Sequence, residues 1–170
     1  MPKWFKFVLR CIIVLSIFVS CDIFKMNIIV DFDYNLFLTR KTNWKTSKQS
    51  NYQYTLIKDG NGFADYVDAL VIVENGQYKE QFSNIEYGGT VDINYQTIDN
   101  IYETIENIYN EYNDTQRSKN EVYLKKINVG YDSANNIPIK IEYYYYVPGN
   151  VADAGDYWVY KIKDYKKNGL

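Results

Sequence analysis

A chain of 170 residues, 46 % of them apolar, is long enough for one domain with a core of its own. It contains no histidine, so the commonest general base and the commonest transition-metal ligand are both missing. With two cysteines in all, an acidic balance of charge and no basic stripe, it offers little for zinc, copper or haem and little for nucleic acid or anionic lipid headgroups.

The first ten residues carry Lys3, Lys6 and Arg10 and no acid, and an apolar run follows from Cys11 to Val19. A positive start, a short apolar core and a small residue before the cut make a secretory signal over 1–20. The apolar run is about half of the roughly 20 residues needed to cross a bilayer. Phe18-Val19-Ser20-Cys21 resembles the lipobox of bacterial lipoproteins, with Phe18 where the pattern usually has leucine. That resemblance implies a diacylglyceryl group on Cys21, an acylated new N-terminus and a location on a membrane of the cell envelope. It does not choose the leaflet. Cys11 leaves with the signal, so no internal disulfide can form. Removal of the three basic residues leaves sixteen bases against twenty-one acids, a net charge of −5.

Residues 21–32 read as a tether that turns apolar at Ile28, Ile29 and Val30, ahead of a single domain over 33–166. A first helix is predicted from Asp33 to Lys48, with Leu36, Phe37, Arg40 and Trp44 along one side. Tyr52, Tyr54 and Leu56 alternate with polar residues as in a half-buried strand, and Lys58 to Gly62 has turn composition. Tyr66 to Val73 reads as a central strand, Asn75-Gly76 as a tight hairpin, and Tyr78 to Ile85 as its return. The strongest helix signal lies between the third and fourth strands, at about 97–113. Ile98, Ile101, Tyr102, Ile105, Ile108, Tyr109 and Tyr112 form one apolar stripe there, with Thr97 as N-cap. Strands follow at Val122–Tyr131, from Ile137 to Val147, and around Trp158, Tyr160 and Ile162, and 167–170 form a frayed tail. The fold class expected is α+β: a single antiparallel sheet of about six strands with both helices on one face.

In this order the motifs Asn51-Tyr52-Gln53-Tyr54-Thr55, Glu74-Asn75-Gly76, Thr97-Ile98-Asp99, Val129-Gly130-Tyr131-Asp132, Pro138-Ile139-Lys140-Ile141 and Val151-Ala152-Asp153-Ala154-Gly155-Asp156-Tyr157 resemble domain-of-unknown-function family 6174. This is a set of small secreted bacterial proteins and lipoproteins. The resemblance covers roughly Trp44 to Tyr165 and implies fold and location, not an activity. Many members carry a cysteine pair after the first strand, where this chain has Lys58-Asp59-Gly60-Asn61-Gly62.

Few residues suggest chemistry. Asp153 and Asp156 lack the oxygen spacing of a calcium loop and read as turn caps, and Asp132, Asn135 and Asn136 read as an Asx turn. Ser47, Ser83 and Ser118 have no histidine to activate them. The nineteen tyrosines are explained better by A/T-rich codon usage and strand preference than by a binding role. The run Tyr143-Tyr144-Tyr145-Tyr146 is the most suggestive feature. If helices cover Tyr143 and Tyr145, then Tyr144 and Tyr146, joined by Tyr157, form an aromatic ledge on the open face; otherwise the run belongs to a two-sided core. The function expected is a membrane-anchored, non-catalytic module that binds an envelope protein, with glycan or small-ligand binding on the same tyrosines as the alternative. Neither cofactor nor metal is expected.

Overall fold

The computed structural model of the chain describes residues 25–47, 49–60, 66–83, 91–149 and 156–167. Along them run β1 (Lys25–Ile28), α1 (Tyr34–Ser47), β2 (Tyr52–Gly60), β3 (Val67–Glu74), β4 (Gln77–Ser83), a 3-10 turn (Ile93–Tyr95), α2 (Ile98–Tyr112), β5 (Thr115–Ser118), β6 (Tyr123–Asp132), β7 (Ile137–Tyr146) and β8 (Tyr157–Lys167). The fold is α+β. Six strands form an antiparallel sheet in the order β4-β3-β2-β8-β7-β6. Its first and last strands in the chain, β2 and β8, lie side by side at the centre, so the sheet closes only when distant parts of the chain meet.

Four expectations need correction. The sheet is not alone, because β1 and β5 pair as a separate two-stranded antiparallel sheet. Residues 25–32 are therefore not tether. Ile28 and Val30 are buried in the main core, and Asp31 forms a parallel bridge to Lys126. In that bridge Asp31 N–H donates to the Lys125 carbonyl at 2.9 Å and its carbonyl accepts from Ile127 N–H at 3.0 Å. The bridge covers part of the β6 edge, where unpaired groups would otherwise invite a foreign strand. The third correction is at Lys58, where β2 runs on to Gly60 instead of turning. Lys58 pairs with both Val67 and Tyr160, and two ladders satisfy backbone groups that a loop would leave to water. The last is the tail: Lys166 and Lys167 pair with Gln53 and Tyr52.

Other local signals hold. Asn75 and Gly76 both have positive φ, at 53° and 76°, as a two-residue hairpin of the primed type requires. On the β4 edge a register shift between Ile72 and Val73 leaves Lys79 as an extra residue, a bulge and a charge that both discourage edge pairing. The Thr97 hydroxyl accepts from Asn100 N–H at 3.0 Å and caps α2 at the position expected.

Tyrosine fastens the helical elements to the sheet. Tyr52 and Tyr54 of β2 are fully buried. The Tyr52 hydroxyl accepts from Ile98 N–H, in the first turn of α2, at 3.1 Å. The Tyr54 hydroxyl donates to the Tyr95 carbonyl at 2.5 Å. Trp44 of α1 meets Tyr52 edge-on at 5.5 Å, and Phe37 meets Tyr102 of α2 at 5.7 Å. Above them Lys41 of α1 forms an ion pair of 2.6 Å with Glu106 of α2. Thr97→Ala removes the cap of this docked helix, and we expect a loss of about 1 kcal/mol in urea unfolding with an unchanged m-value.

Candidate functional site

Alternation along β7 sorts its four consecutive tyrosines. Tyr143 is buried and Tyr145 packs against the core, whereas Tyr144 and Tyr146 lie on the opposite face, half-buried. The register sets Tyr157 of β8 beside Tyr144, and Tyr123 of β6 beside Tyr146. The rings pair accordingly: Tyr123 and Tyr146 stack at 4.9 Å, and Tyr144 and Tyr157 meet at 4.8 Å with a 41° tilt. The structure thus brings together the three tyrosines named from the sequence and adds Tyr123. That fourth ring was not foreseeable without the β6–β7 register.

The ledge is fixed by a polar cluster. The Tyr157 hydroxyl donates to Glu142 Oε1 at 2.6 Å, and the same oxygen receives Lys140 Nζ at 2.7 Å. Burial of Glu142 acts to raise its pKa, but hydrogen bonds from Lys140, Tyr157 and Asn128 outweigh it and hold the carboxyl below its ordinary value. Tyr157 is pushed up, first by its bond to this carboxylate and then by burial, and stays a phenol.

Next to the ledge the same face carries lysines. Lys140 of β7 stands opposite Lys161 of β8, and Lys161, Lys163 and Lys166 stand opposite Ile57, Thr55 and Gln53 of β2. Paired residues share a face, so these four lysines form a stripe on the side of Tyr144 and Tyr157. Lys161, Lys163 and Lys166 have no carboxylate partner among the described residues. The expectation that no basic stripe exists is corrected here: charges spread along β7 and β8 are gathered by strand pairing. Beyond the lysines Leu70 and Phe82 pair across β3 and β4, with Phe82 51 % exposed, and Asp59 and Asp68 lie on the same face.

Tyr144, Tyr146 and Tyr157 present their rings along two adjacent strands. A cleft of about 450 Å³ lies beside them at the β6 edge, lined by Asp31, Asp33, Leu36, Tyr131, Lys140 and Glu142 among others, and Tyr144, Tyr146 and Tyr157 contribute nothing to its walls.

The other residues singled out from the sequence have local roles or lie elsewhere. Asp132 accepts from Asn135 N–H at 2.7 Å in an Asx turn, and the Ser47 hydroxyl donates to the Trp44 carbonyl. The Asp156 carbonyl accepts from Tyr145 N–H. Among the described residues no three histidine, cysteine, aspartate or glutamate side chains gather as a metal ligand set. Cys21 and Asp153 lie outside the described residues.

A lowered pKa in the folded state means that Glu142 stabilises the fold above the ordinary glutamate pKa, and that this contribution is lost as pH falls through its folded value. Glu142→Gln is therefore expected to flatten the fall of Tm between pH 6 and pH 3, measured by calorimetry. No family model, no curated protein and no solved structure matches this chain.

Proposed function

We propose that the chain is a non-catalytic, lipid-anchored module of the bacterial cell envelope that binds an acidic protein surface on the open face of its sheet. The observation that carries this reading is the ledge of two ring pairs, Tyr123–Tyr146 and Tyr144–Tyr157, set beside the Lys140, Lys161, Lys163 and Lys166 stripe. Tyrosines give a partner large contact area at small entropic cost. Unpaired lysines steer an oppositely charged one. Lys140 and Lys161 stand directly opposite one another, and the Lys140–Glu142 ion pair offsets that repulsion, so the charge of Lys161 remains for a partner. Ring pairs on three neighbouring strands together with the lysine stripe make an extended surface, which favours a macromolecule over a small ligand.

Tyr52 and Tyr54 bond to Ile98 and Tyr95, and Tyr145 meets Tyr112, all from the side of the sheet away from Tyr144 and Tyr146, which supports the reading that the ledge is available. The absence of histidine from the sequence supports a non-catalytic role. The membrane anchor rests on the lipobox resemblance at Cys21.

Capture of crosslinked partners from intact envelopes tests the face. Tyr144→Ala with Tyr146→Ala should keep the circular dichroism of the parent and abolish capture. Lys161→Glu should weaken capture and make what remains less sensitive to salt, while slightly raising Tm. Capture indifferent to all three changes would sink the reading. The anchor is tested separately: Cys21→Ser should move the protein from the detergent phase to the aqueous phase, and retention in detergent would refute lipidation.

A further inference from the structure

On the helix-bearing side of the sheet, two adjoining clefts of about 220 and 250 Å³ share Lys58, Tyr95 and Tyr160. The first is completed by Ile108, Tyr143, Tyr145 and Trp158, and the second by Leu56, Val67, Val91 and Asp92. We propose that this double cleft is a second binding site, specific for a saccharide ring that carries a carboxylate.

Three observations lead there. The walls are aromatic and partly prearranged, since Tyr95 and Tyr160 stack at 3.9 Å and Tyr143 meets Tyr160 edge-on at 6.2 Å. A concave site lined by aromatic rings with a few polar groups is the usual receptacle for a small ligand, and aromatic rings lie well against the C–H face of a pyranose. The second observation is Lys58, common to both lobes. Its ammonium lies over the Trp158 ring at 4.8 Å and has no carboxylate partner among the described residues. A cation held on an indole at the junction of the lobes is placed to receive an anion. The third is Tyr143. Its side chain is buried, yet its hydroxyl, near that of Tyr95, forms no hydrogen bond of good geometry. Such a group costs stability unless something completes it, and a ligand hydroxyl can do so once the Tyr143 ring shifts toward the cleft that it lines, because the oxygen has no accessible surface without ligand.

The carboxylate belongs at Lys58 and not at the far end of the second lobe. There Asp92 presents its own carboxylate, which already accepts from Asn94 N–H at 2.8 Å. That end suits the neutral hydroxyls of a sugar, and the lone pairs of Asp92 are acceptors for them. The site lies on the opposite face of the sheet from Tyr144 and Tyr146 and does not depend on the protein-binding role proposed for them.

Glucuronic acid and glucose serve as paired probes, titrated against the chain at millimolar concentration and followed by tryptophan fluorescence and ligand-observed NMR. Glucuronic acid should bind roughly tenfold or more tightly than glucose, the ratio expected from one charge-assisted hydrogen bond. Lys58→Met, which keeps the aliphatic cover on Trp158, should erase that preference. Tyr143→Phe should raise Tm in the absence of ligand and weaken binding of glucuronic acid. The Tyr144→Ala, Tyr146→Ala variant should bind it as the parent does. Failure of glucuronic acid to bind, equal affinity for the two sugars, or an effect of the Tyr144 and Tyr146 changes would each overturn the proposal. If Lys58→Met does not fold, Tyr143→Phe still decides.

Discussion

Two phenol hydroxyls on neighbouring inward positions of one central strand hold this molecule together. Tyr52 fills the backbone donor at the first residue of α2, and Tyr54 fills the carbonyl of the last residue of the 3-10 turn before it. The first-turn N–H groups of a helix have no partner inside it. Burying that end against a sheet is tolerable only if the sheet supplies acceptors. A valine or leucine at position 52 would bury similar apolar area and leave Ile98 N–H unsatisfied. Tyrosine does both tasks, because its ring is core and its oxygen is a bond to a helix terminus.

That division of labour explains most of the tyrosine content. Tyr52, Tyr54 and Tyr102 are buried rings with bonded hydroxyls; Tyr102 donates to the Asn136 carbonyl at 2.5 Å, at the β6–β7 turn. Burial drives their pKa values up, so none ionises while the fold persists. The buried hydroxyls of Tyr131 and Tyr165 find no hydrogen-bond partner among the described residues, and that of Tyr143 has only the Tyr95 hydroxyl nearby. Tyr144, Tyr146 and Tyr157 stay outside the main core. Codon bias alone accounts for abundance but not for this sorting, which follows from where strand pairing puts each ring.

What could be seen from the sequence depended on range. The α2 stripe, its Thr97 cap and the Asn75-Gly76 turn are set by residues within one or two turns of each other, and their signals survive folding intact. β1 and β5 are four residues each and pair across some 90 positions, as Lys25 with Ser118, so no local pattern announces them. The segment Lys58-Asp59-Gly60 has turn composition, yet ladders on both sides hold it as strand. The tyrosine ledge was legible because alternation is local. Lys161 and Lys163 of the stripe were legible in the same way, since they alternate with Tyr160 and Ile162; the approach of Lys140 and the irregular pairing that brings Lys166 to the same face depend on register. The aromatic cleft was further out of reach, since its walls come from β2, β3, the 3-10 turn with the two residues before it, α2, β7 and β8.

The small sheet of β1 and β5 also sets a length. If Cys21 carries the anchor, three residues separate it from Lys25, where ordered pairing begins. From Cys21 to Lys25 the chain reaches about 14 Å at full extension. That is less than the width of the domain it carries. Such a leash would confine the molecule to a shell against the lipid headgroups. There it would meet proteins of its own bilayer at high effective concentration and be denied those across the envelope. On that proposal, geometry would restrict the range of partners before any surface chemistry applied.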